Sequence, residues 1–575
     1  AAGVQFVSGY PGTPSTEVLE TVAKRKPEHV YVEWSVNEKS AVEVAAGAAL
    51  AGARAMVTMK QVGLNVATDP LMSLNYIGVS GALVLVVADD PGPISSQTEQ
   101  DTRHFGRWAR IPVFDPQTPE QAYHMIKDAF ELSEKYHAPV ILRPTTRVCH
   151  SCASIEVEPA AEAKPVAGFK KSADWVIFPK LSNAAKKRLV AREPELSALF
   201  SNYAHNRVYG YGRHGIAMGG ACAAYAREAG LPARYFEVAT PYPFPEEKAL
   251  EFLKGLDAVL VLEELDPVIE DELLRLCASR GLSTRIIGKR TGDVPVAGEM
   301  TVEIAKERMN SFLGLSAQPR EYAQLPKLPV RPPVLCAGCP HRGSFYAVKA
   351  AMKGKKAVFS GDIGCYTLGN AAPLNMVDTC LCMGAGVTMA QGLARMEPDC
   401  VHFAFIGDST FFHTGIPGVV NAKYNGADEV IVVLDNSTTA MTGHQPHPGI
   451  GKTMMGTEQP KILIPKVLEA LGVPVWRADA FDLDQSIKAV QSAVDVKGVR
   501  AVVFEGACAA IVRGHKPVYV NAEKCLGCKK CVRELGCPAL SVDVGGKAII
   551  DAALCTGCGL CRQVCPADCM EGGCE

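Results

Sequence analysis

Two cysteine runs near the end of the chain carry the plainest chemistry. They read Cys525-x-x-Cys528-x-x-Cys531 followed by Cys537-Pro538, then Cys555-x-x-Cys558-x-x-Cys561 followed by Cys565-Pro566. Such spacing lets three thiolates of one loop converge on one centre, and Gly527 and Gly557 permit tight turns. Iron–sulfur clusters and zinc knuckles both use runs of this kind. A doubled arrangement with each run closing on Cys-Pro points to clusters. A further pair, Cys336 and Cys339 in VLCAGCPHRG, stands far upstream. By itself it is a metal site, a redox pair or a chance spacing. A second group consists of oxygen donors. Gly407-Asp408-Ser409 follows the apolar run VHFAFI, and Asn436 ends the run VIVVLDN. A carboxylate and an amide oxygen at two strand ends suit a hard cation such as Mg2+, which shares its oxygen shell with phosphate. Gly384 and Gly386, where MGAG opens a helix, are small residues at a helix N-terminus, a place that favours an anion such as a diphosphate. A bare Gly-Asp at a strand end is otherwise usually structural.

These groups need rigid elements to hold them. With 575 residues, the chain is long enough for roughly four domains at about 150 residues each. Residues 1–155 alternate buried-strand runs (Met56–Met59, Ala82–Ala88) with helical patterns, including a small-residue helix from Glu38 to Ala53. Thr13-Pro14 suits a helix N-cap followed by Pro at the first helical position. Residues 156–185, rich in Glu, Pro, Ala and Lys, read as a linker. A second α/β unit follows at 186–325, with strands near Val208–Tyr211 and Ala258–Leu262. The Pro-rich LPKLPVRPP (Leu325–Pro333) opens a third α/β unit at 330–515, with strands at Ala357–Ser360, Val401–Ile406, Val430–Leu434 and Ala501–Phe504. A short cysteine-rich tail fills 516–575. The fold class is therefore multi-domain α/β with a small α+β tail.

A formal net charge of −2 gives no basic field for nucleic acid. No apolar run reaches the ~20 residues of a membrane helix, and AAGVQFVSGYPG lacks the pattern of a signal peptide. The expectation is a cytoplasmic protein with neither nucleic-acid nor membrane partner. A chain this large needs no disulfide staples, so the 21 cysteines fit metal binding in a reducing cell.

The tail resembles two-cluster bacterial ferredoxins, in which the fourth cysteine of each run ligates the other cluster. That crossover implies one 4Fe–4S cluster on Cys525, Cys528, Cys531 and Cys565, and another on Cys555, Cys558, Cys561 and Cys537. The first run departs from the usual pattern in its longer final spacing. Asp408 and Asn436 resemble the thiamine-diphosphate motif, with Ser409 where the motif usually has Gly; the resemblance implies Mg2+ on Asp408, Asn436 and the Thr438 carbonyl. Thiamine diphosphate also needs a carboxylate beside its aminopyrimidine, so that its C2 proton can be removed. Glu38, opening NEKSAVEVAAGAALAGAR, resembles that residue, while Glu33 and Glu43 are the alternatives. Together with YPGTPS (Tyr10–Ser15), these features resemble the 2-oxoacid:ferredoxin oxidoreductases over nearly the whole chain. GDSTFFHTGIPG, LDNSTTAMTGHQPHPG and CAGCPHRG are most similar to the large subunits of its indolepyruvate branch. The family usually has a further stretch before the strand that precedes YPGTPS, which leaves the edge of the first sheet open.

The resemblance implies a pyrimidine-type domain at 1–155, a transketolase-C-terminal-like domain at 186–325 and a diphosphate-type domain at 330–515. It implies that an aryl 2-oxoacid, CoA and ferredoxin give aryl-acetyl-CoA, CO2 and reduced ferredoxin. A smaller beta subunit, in a complex of two alpha and two beta chains, is the expected partner and the expected seat of the CoA site. Thr13 matches a substrate-facing threonine and is equally a plain cap. His413, His444 and His447 are loop candidates for proton shuttling, with His444 ranked first, and His341 is a candidate to face the cofactor. A third 4Fe–4S cluster is implied on Cys336, Cys339, Cys365 (in GDIGCYTLG) and Cys508 (in FEGACAAIVRG). The alternative is four cysteines buried as small hydrophobes. Cys569 and Cys574 are left as plain thiols, and Cys380, Cys382 and Cys400 are expected to be buried as small hydrophobes. Competing readings are a relative acting on another 2-oxoacid, an electron-transfer subunit without its own catalysis, and a non-oxidative decarboxylase. The last has no use for a ferredoxin tail.

Overall fold

The apolar runs become parallel strands whose C-terminal ends carry the polar motifs. The computed structural model describes residues 1–25, 27–159, 165–316, 326–512 and 516–573. Leu325, residues 160–164 of the expected linker and Cys574 lie outside the described residues. The chain divides into two compact units, Ala1–Gln324 and Leu325–Glu575.

In the first unit, β1 (Phe6–Gly9), β2 (Tyr31–Trp34), β3 (Arg54–Lys60), β4 (Ala82–Ala88), β5 (Val113–Phe114) and β6 (Val140–Leu142) form one sheet in the order β2-β1-β3-β4-β6-β5. All its pairings are parallel. Every residue of β4 is buried, as expected for a strand covered on both faces by crossover helices. A second sheet joins β7 (Arg207–Gly210), β8 (His214–Gly219), β9 (Arg234–Val238), β10 (Ala258–Leu262) and β11 (Arg285–Ile287) in the order β11-β10-β8-β9-β7. Only β7 runs antiparallel.

Buried charges tie the two sheets together. Arg103 holds Asp101 (2.6 Å) and Glu263 (2.7 Å), and Arg143 holds Asp89 (2.7 Å) and Asp115 (3.1 Å), all at 1% exposure or less. Breaking one such buried pair typically costs ~3–5 kcal/mol, so residues 1–155 and 186–324 hold together as one unit. Two local expectations need correction. The first helix starts at Thr16 rather than at Thr13-Pro14. Gly12–Thr16 instead closes a turn, with Ser15 N donating to Gly12 O (2.8 Å) and Gly12 N to Thr16 Oγ1 (3.0 Å). The expected linker is helical at its end, because Pro179 opens a helix that runs to Ser201.

In the second unit β12 (Ala357–Ser360), β13 (Val401–Gly407), β14 (Glu429–Asp435), β15 (Val475–Asp479) and β16 (Val499–Glu505) form a parallel sheet in the order β12-β13-β14-β16-β15. Alternation divides its core: Phe403, Phe405, Val430, Val432 and Phe504 face one layer, and Ala404, Ile406, Ile431, Val433 and Val503 the other. The tail adds two antiparallel ribbons, β17 (Val518–Val520) with β20 (Met570–Gly572) and β18 (Leu540–Val542) with β19 (Ala548–Ile550). It packs Leu535, Leu560, Val564 and Met570 around the cysteine loops, together with Leu483 and Phe481 of the sheet domain.

Candidate functional site

In open parallel sheets ligands sit beyond the C-terminal strand ends, and both units place their polar motifs there. In the second unit, Cys365, Asp408, Asn436 and Cys508 follow β12, β13, β14 and β16. Asp408 is 3% exposed. Its Oδ1 accepts from Ser409 N (2.8 Å), while its Oδ2 accepts from Asn436 N (3.1 Å) and lies 3.1 Å from His447 Nε2. Burial opposes its ionisation, but the His447 and backbone hydrogen bonds outweigh burial and hold its pKa below the usual carboxylate value. Asp435 is pushed up to about 6 by burial and by the Asp408 charge. Two acids crowded in this way fit a site that takes a cation.

Asn436 is oriented for the same purpose. Its Nδ2 lies 3.2 Å from His341 Nε2, and its Oδ1 accepts from Thr438 N at 3.2 Å. Burial lowers His341 to about 4, so the imidazole is neutral and accepts the amide N–H. Asp408, Asn436 and Thr438 are thus buried together, and these residues could hold Mg2+. Ser409 accepts from Thr439 Oγ1 (2.9 Å), so its hydroxyl fastens the loop after β14.

Gly384 precedes the helix Ala385–Met396 with φ +78°. A Cβ there would lie 2.2 Å from Thr414 Oγ1, and one on Gly386 2.6 Å from Gly361 O. Their small size is therefore already needed for packing the helix N-terminus against the strand ends. Gly407 has the same origin, since its Cβ would meet the Tyr366 hydroxyl at 2.3 Å.

Of the three loop histidines, His447 is the one that reaches Asp408. His444, ranked first from the sequence, is exposed at φ +67°. His413, expected in a loop, lies instead in the helical turn Phe411–Gly415 and is buried, its Nδ1 3.3 Å from Thr414 Oγ1. Asp362 was missed. It accepts from Gly384 N (2.8 Å) and Tyr366 OH (3.0 Å), and burial raises it to about 6. A second Gly-Asp at the end of an apolar run, Gly361-Asp362, was the available signal.

The upstream cysteines share this wall. Cys508 N donates to Asn436 O at 3.0 Å. His341, two residues after Cys339, meets Asn436, and Tyr366, next to Cys365, meets Asp362 and Thr410. The four thiols lie near enough to act on one another. After burial, Cys336 and Cys365 raise Cys339, Cys508 and Cys336 raise Cys365, and Cys336 raises Cys508. The tail cysteines gather in two sets in the same way. Cys565, Cys528 and Cys525 raise Cys531, after burial, while Cys537 and Cys555 raise Cys558. Backbone N–H groups of Ala548 and Gly527 lower Cys525 toward the thiolate that a cluster needs. Cys569 is buried, with its sulfur 3.4 Å from that of Cys565. Cys380 and Cys382, expected to be buried as small hydrophobes, are exposed instead.

In the first unit Glu38 opens the helix Glu38–Leu50 behind an Asn37 cap and is 6% exposed. The alternatives are engaged elsewhere. Glu43 pairs with Lys39 at the surface, and Glu33 accepts from Tyr31 and Ser35 hydroxyls. Trp34 Nε1, Thr58 Oγ1 and Gln61 Oε1, from the ends of β2 and β3, are buried without a hydrogen-bond partner among the described residues. They suit a crevice that receives a polar ring. Thr13 is half-buried on the loop after β1, its carbonyl accepting from Ser95 Oγ at 3.2 Å.

Gly63 touches Glu38: a Cβ there would lie 2.5 Å from Glu38 Oε1. Gly63→Ala is expected to displace the carboxylate, a flexible group, at a stability cost of no more than about 1 kcal/mol. Turnover should fall while the melting temperature stays near wild type; unchanged turnover would show that the Glu38 position does not matter.

No helix among the described residues is long and apolar enough to cross a membrane. Three family models match the chain. "Pyruvate flavodoxin/ferredoxin oxidoreductase, thiamine diP-bdg" covers residues 1–188, "Thiamine pyrophosphate enzyme, C-terminal TPP binding domain" covers 362–504, and "4Fe-4S binding domain" covers 548–571. Among curated relatives, indolepyruvate oxidoreductase subunit IorA of Methanothermobacter marburgensis is 40% identical over 99% of this chain and 94% of its own length. The subunit of the same name from Pyrococcus abyssi is 40% identical over 98% and 93%, and that from Archaeoglobus fulgidus 38% identical over 98% and 94%.

Proposed function

The chain belongs to the family of indolepyruvate oxidoreductase IorA subunits, and we propose on that premise that it oxidatively decarboxylates indolepyruvate and related arylpyruvates. An arylpyruvate, CoA and two oxidised ferredoxins give aryl-acetyl-CoA, CO2, two reduced ferredoxins and a proton. Thiamine diphosphate, when bound, supplies a carbon that attacks the keto group and accepts the electron pair left as CO2 departs. The protein's part is to hold and to connect. Glu38 serves as the proton relay at the aminopyrimidine. Asp408, Asn436 and Thr438 hold Mg2+, and His447 and His341 fix the first two of these. Gly384, Gly386, Gly407 and Ser409 belong to the diphosphate site, the glycines by letting the helix N-terminus pack against the strand ends, and Thr13 is a substrate contact.

One observation supports this reading above the rest: Asp408, Asn436, Cys365 and Cys508 all follow strands of one sheet, and Cys508 N donates to Asn436 O. A two-electron oxidation needs an electron acceptor beside the reacting carbon, and a non-oxidative decarboxylase does not. We assign the domains as 1–155, 186–325, 330–515 and 516–575. A smaller beta subunit completes the enzyme, in a complex of two of each chain, and carries the CoA site.

The test is anaerobic reduction of ferredoxin or viologen by the purified complex with a panel of 2-oxoacids, with and without CoA. Arylpyruvates should support CoA-dependent reduction. Preference for pyruvate or 2-oxoglutarate would overturn the substrate assignment, and no reduction with any acid would leave an electron-transfer subunit.

A further inference from the structure

Arg342 is a buried cation for which the reaction as described has no use. It lies in the first turn of the helix Pro340–Ala351 and is 3% exposed. Its Nη2 donates to Leu335 O (2.7 Å) and Cys336 O (3.2 Å), and its Nη1 to Leu535 O and Gly536 O (2.9 Å to the latter). The guanidinium thus fastens the Cys336–Cys339 loop to the turn just before Cys537. All four acceptors are neutral carbonyls, and among the described residues no carboxylate pairs with it. Among the described residues its Nε–H is buried without a partner. Burying a cation is costly unless an opposite charge meets it.

The surroundings show where that charge belongs. Arg342 and Gly338 line the cavity into which Cys537, Cys555, Cys558 and Cys561 converge. Gly338 has φ +70°, and a Cβ there would lie 1.9 Å from Thr556 Oγ1, so the two Cys-x-x-Cys loops touch with no room to spare. The Arg342 charge acts on Cys558 on one side and on Cys339 on the other.

We propose that Arg342 is the counter-charge of the cluster held by Cys537, Cys555, Cys558 and Cys561, its Nε–H donating to a cluster sulfur and thereby raising that cluster's reduction potential. This rests on the cluster reading above. Four thiolates make a cubane a net anion, and hydrogen bonds to its sulfurs and nearby charge set its potential. The cluster takes one electron with no proton. A positive charge between it and the Cys336–Cys339 loop draws that electron toward the tail. Arg342 is a positioning residue: it touches no substrate.

The test uses the assembled holoenzyme. Pulsed EPR of the reduced wild type, with arginine labelled in 15N at Nε, should show coupling to the cluster whose signal is altered by Cys558→Ser. In a redox titration Arg342→Gln should lower that cluster's potential, shifting its reduced fraction about tenfold, or ~59 mV for one electron. The cluster on Cys525, Cys528, Cys531 and Cys565 should keep its potential. Arg342→Lys, which keeps the charge and loses the fork, should fall between. Absence of arginine coupling in wild type overturns the proposal, as does an unchanged potential in Arg342→Gln with full iron content. If Arg342→Gln loses the cluster, the wild-type coupling decides. Loss of every signal that Cys558→Ser ought to alter would sink the cluster reading instead, which separates the two failures.

Discussion

With Glu38 changed to Gln, the enzyme is expected to keep thiamine diphosphate and Mg2+ and to lose about 10²–10⁴-fold in turnover, the usual worth of general acid–base catalysis. The substitution preserves size and keeps one acceptor oxygen at a 6%-exposed position, so the fold is expected to persist. What disappears is the ability to exchange a proton with the aminopyrimidine. Hydrogen–deuterium exchange at cofactor C2, followed by quenched NMR, should slow in parallel with turnover. Asp408→Ala should behave in the opposite way and abolish Mg2+-dependent cofactor binding in calorimetry, because it removes an ionised ligand and leaves Asp435 alone in the buried acid pair. The contrast between the two variants separates proton relay from anchoring. Full activity in Glu38→Gln would move the relay elsewhere, with Glu33 the next carboxylate to try.

The residues legible in the sequence are those whose position follows from a strand end. Asp408 and Asn436 stand directly after buried runs in β13 and β14, so their place at one sheet edge follows from parallel topology alone. The first three cysteines of each tail run were legible because spacing within one short loop leaves little freedom, whereas the crossover partners Cys565 and Cys537, and the set Cys336, Cys339, Cys365 and Cys508, came only from the family resemblance. His447 was not. His444 and His447 share the loop after β14, and only its folding decides which turns inward. Ser437 and His444 adopt φ near +61° and +67°, and Thr439 and Gln445 pair across the turn, which brings His447 back to Asp408. Arg342 was hidden because its partners are carbonyls far along the chain at Leu535 and Gly536. The helix start at Thr16 escaped because Thr13-Pro14 satisfies a local rule, while the Gly12–Thr16 hydrogen bonds settle the turn. The joining of the first two α/β sheets depends on Arg103 reaching Glu263 across 160 residues, a contact that no local pattern encodes.

Changing Cys365 or Cys508 to Ser is expected to remove one whole cluster, so that iron falls from roughly twelve to roughly eight per chain, at four irons per cubane. The wild-type figure tests the third cluster directly, since the eight cysteine ligands expected in the tail account for only two cubanes. Each substitution is nearly isosteric, and neither thiol belongs to a core cluster that a hydroxyl would disrupt. A cubane needs all four thiolates, and Cys336, Cys339, Cys365 and Cys508 already influence one another in this structure. Loss of the cluster should leave the cofactor site intact, apart from the contact that Cys508 N makes with Asn436 O, which a serine backbone preserves. Decarboxylation therefore continues while oxidation stops. The product should change from aryl-acetyl-CoA to the arylacetaldehyde, formed with CO2 and without electrons, and substrate should no longer reduce the tail clusters although dithionite still does. Mössbauer spectroscopy counts the clusters, and chromatography identifies the product. A wild type with eight irons per chain, and variants with unchanged spectra and turnover, would return Cys336 and Cys339 to a structural role. In that case electrons would have to pass from the cofactor straight to the cluster of Cys537, Cys555, Cys558 and Cys561, whose cavity the Cys336–Cys339 loop already borders.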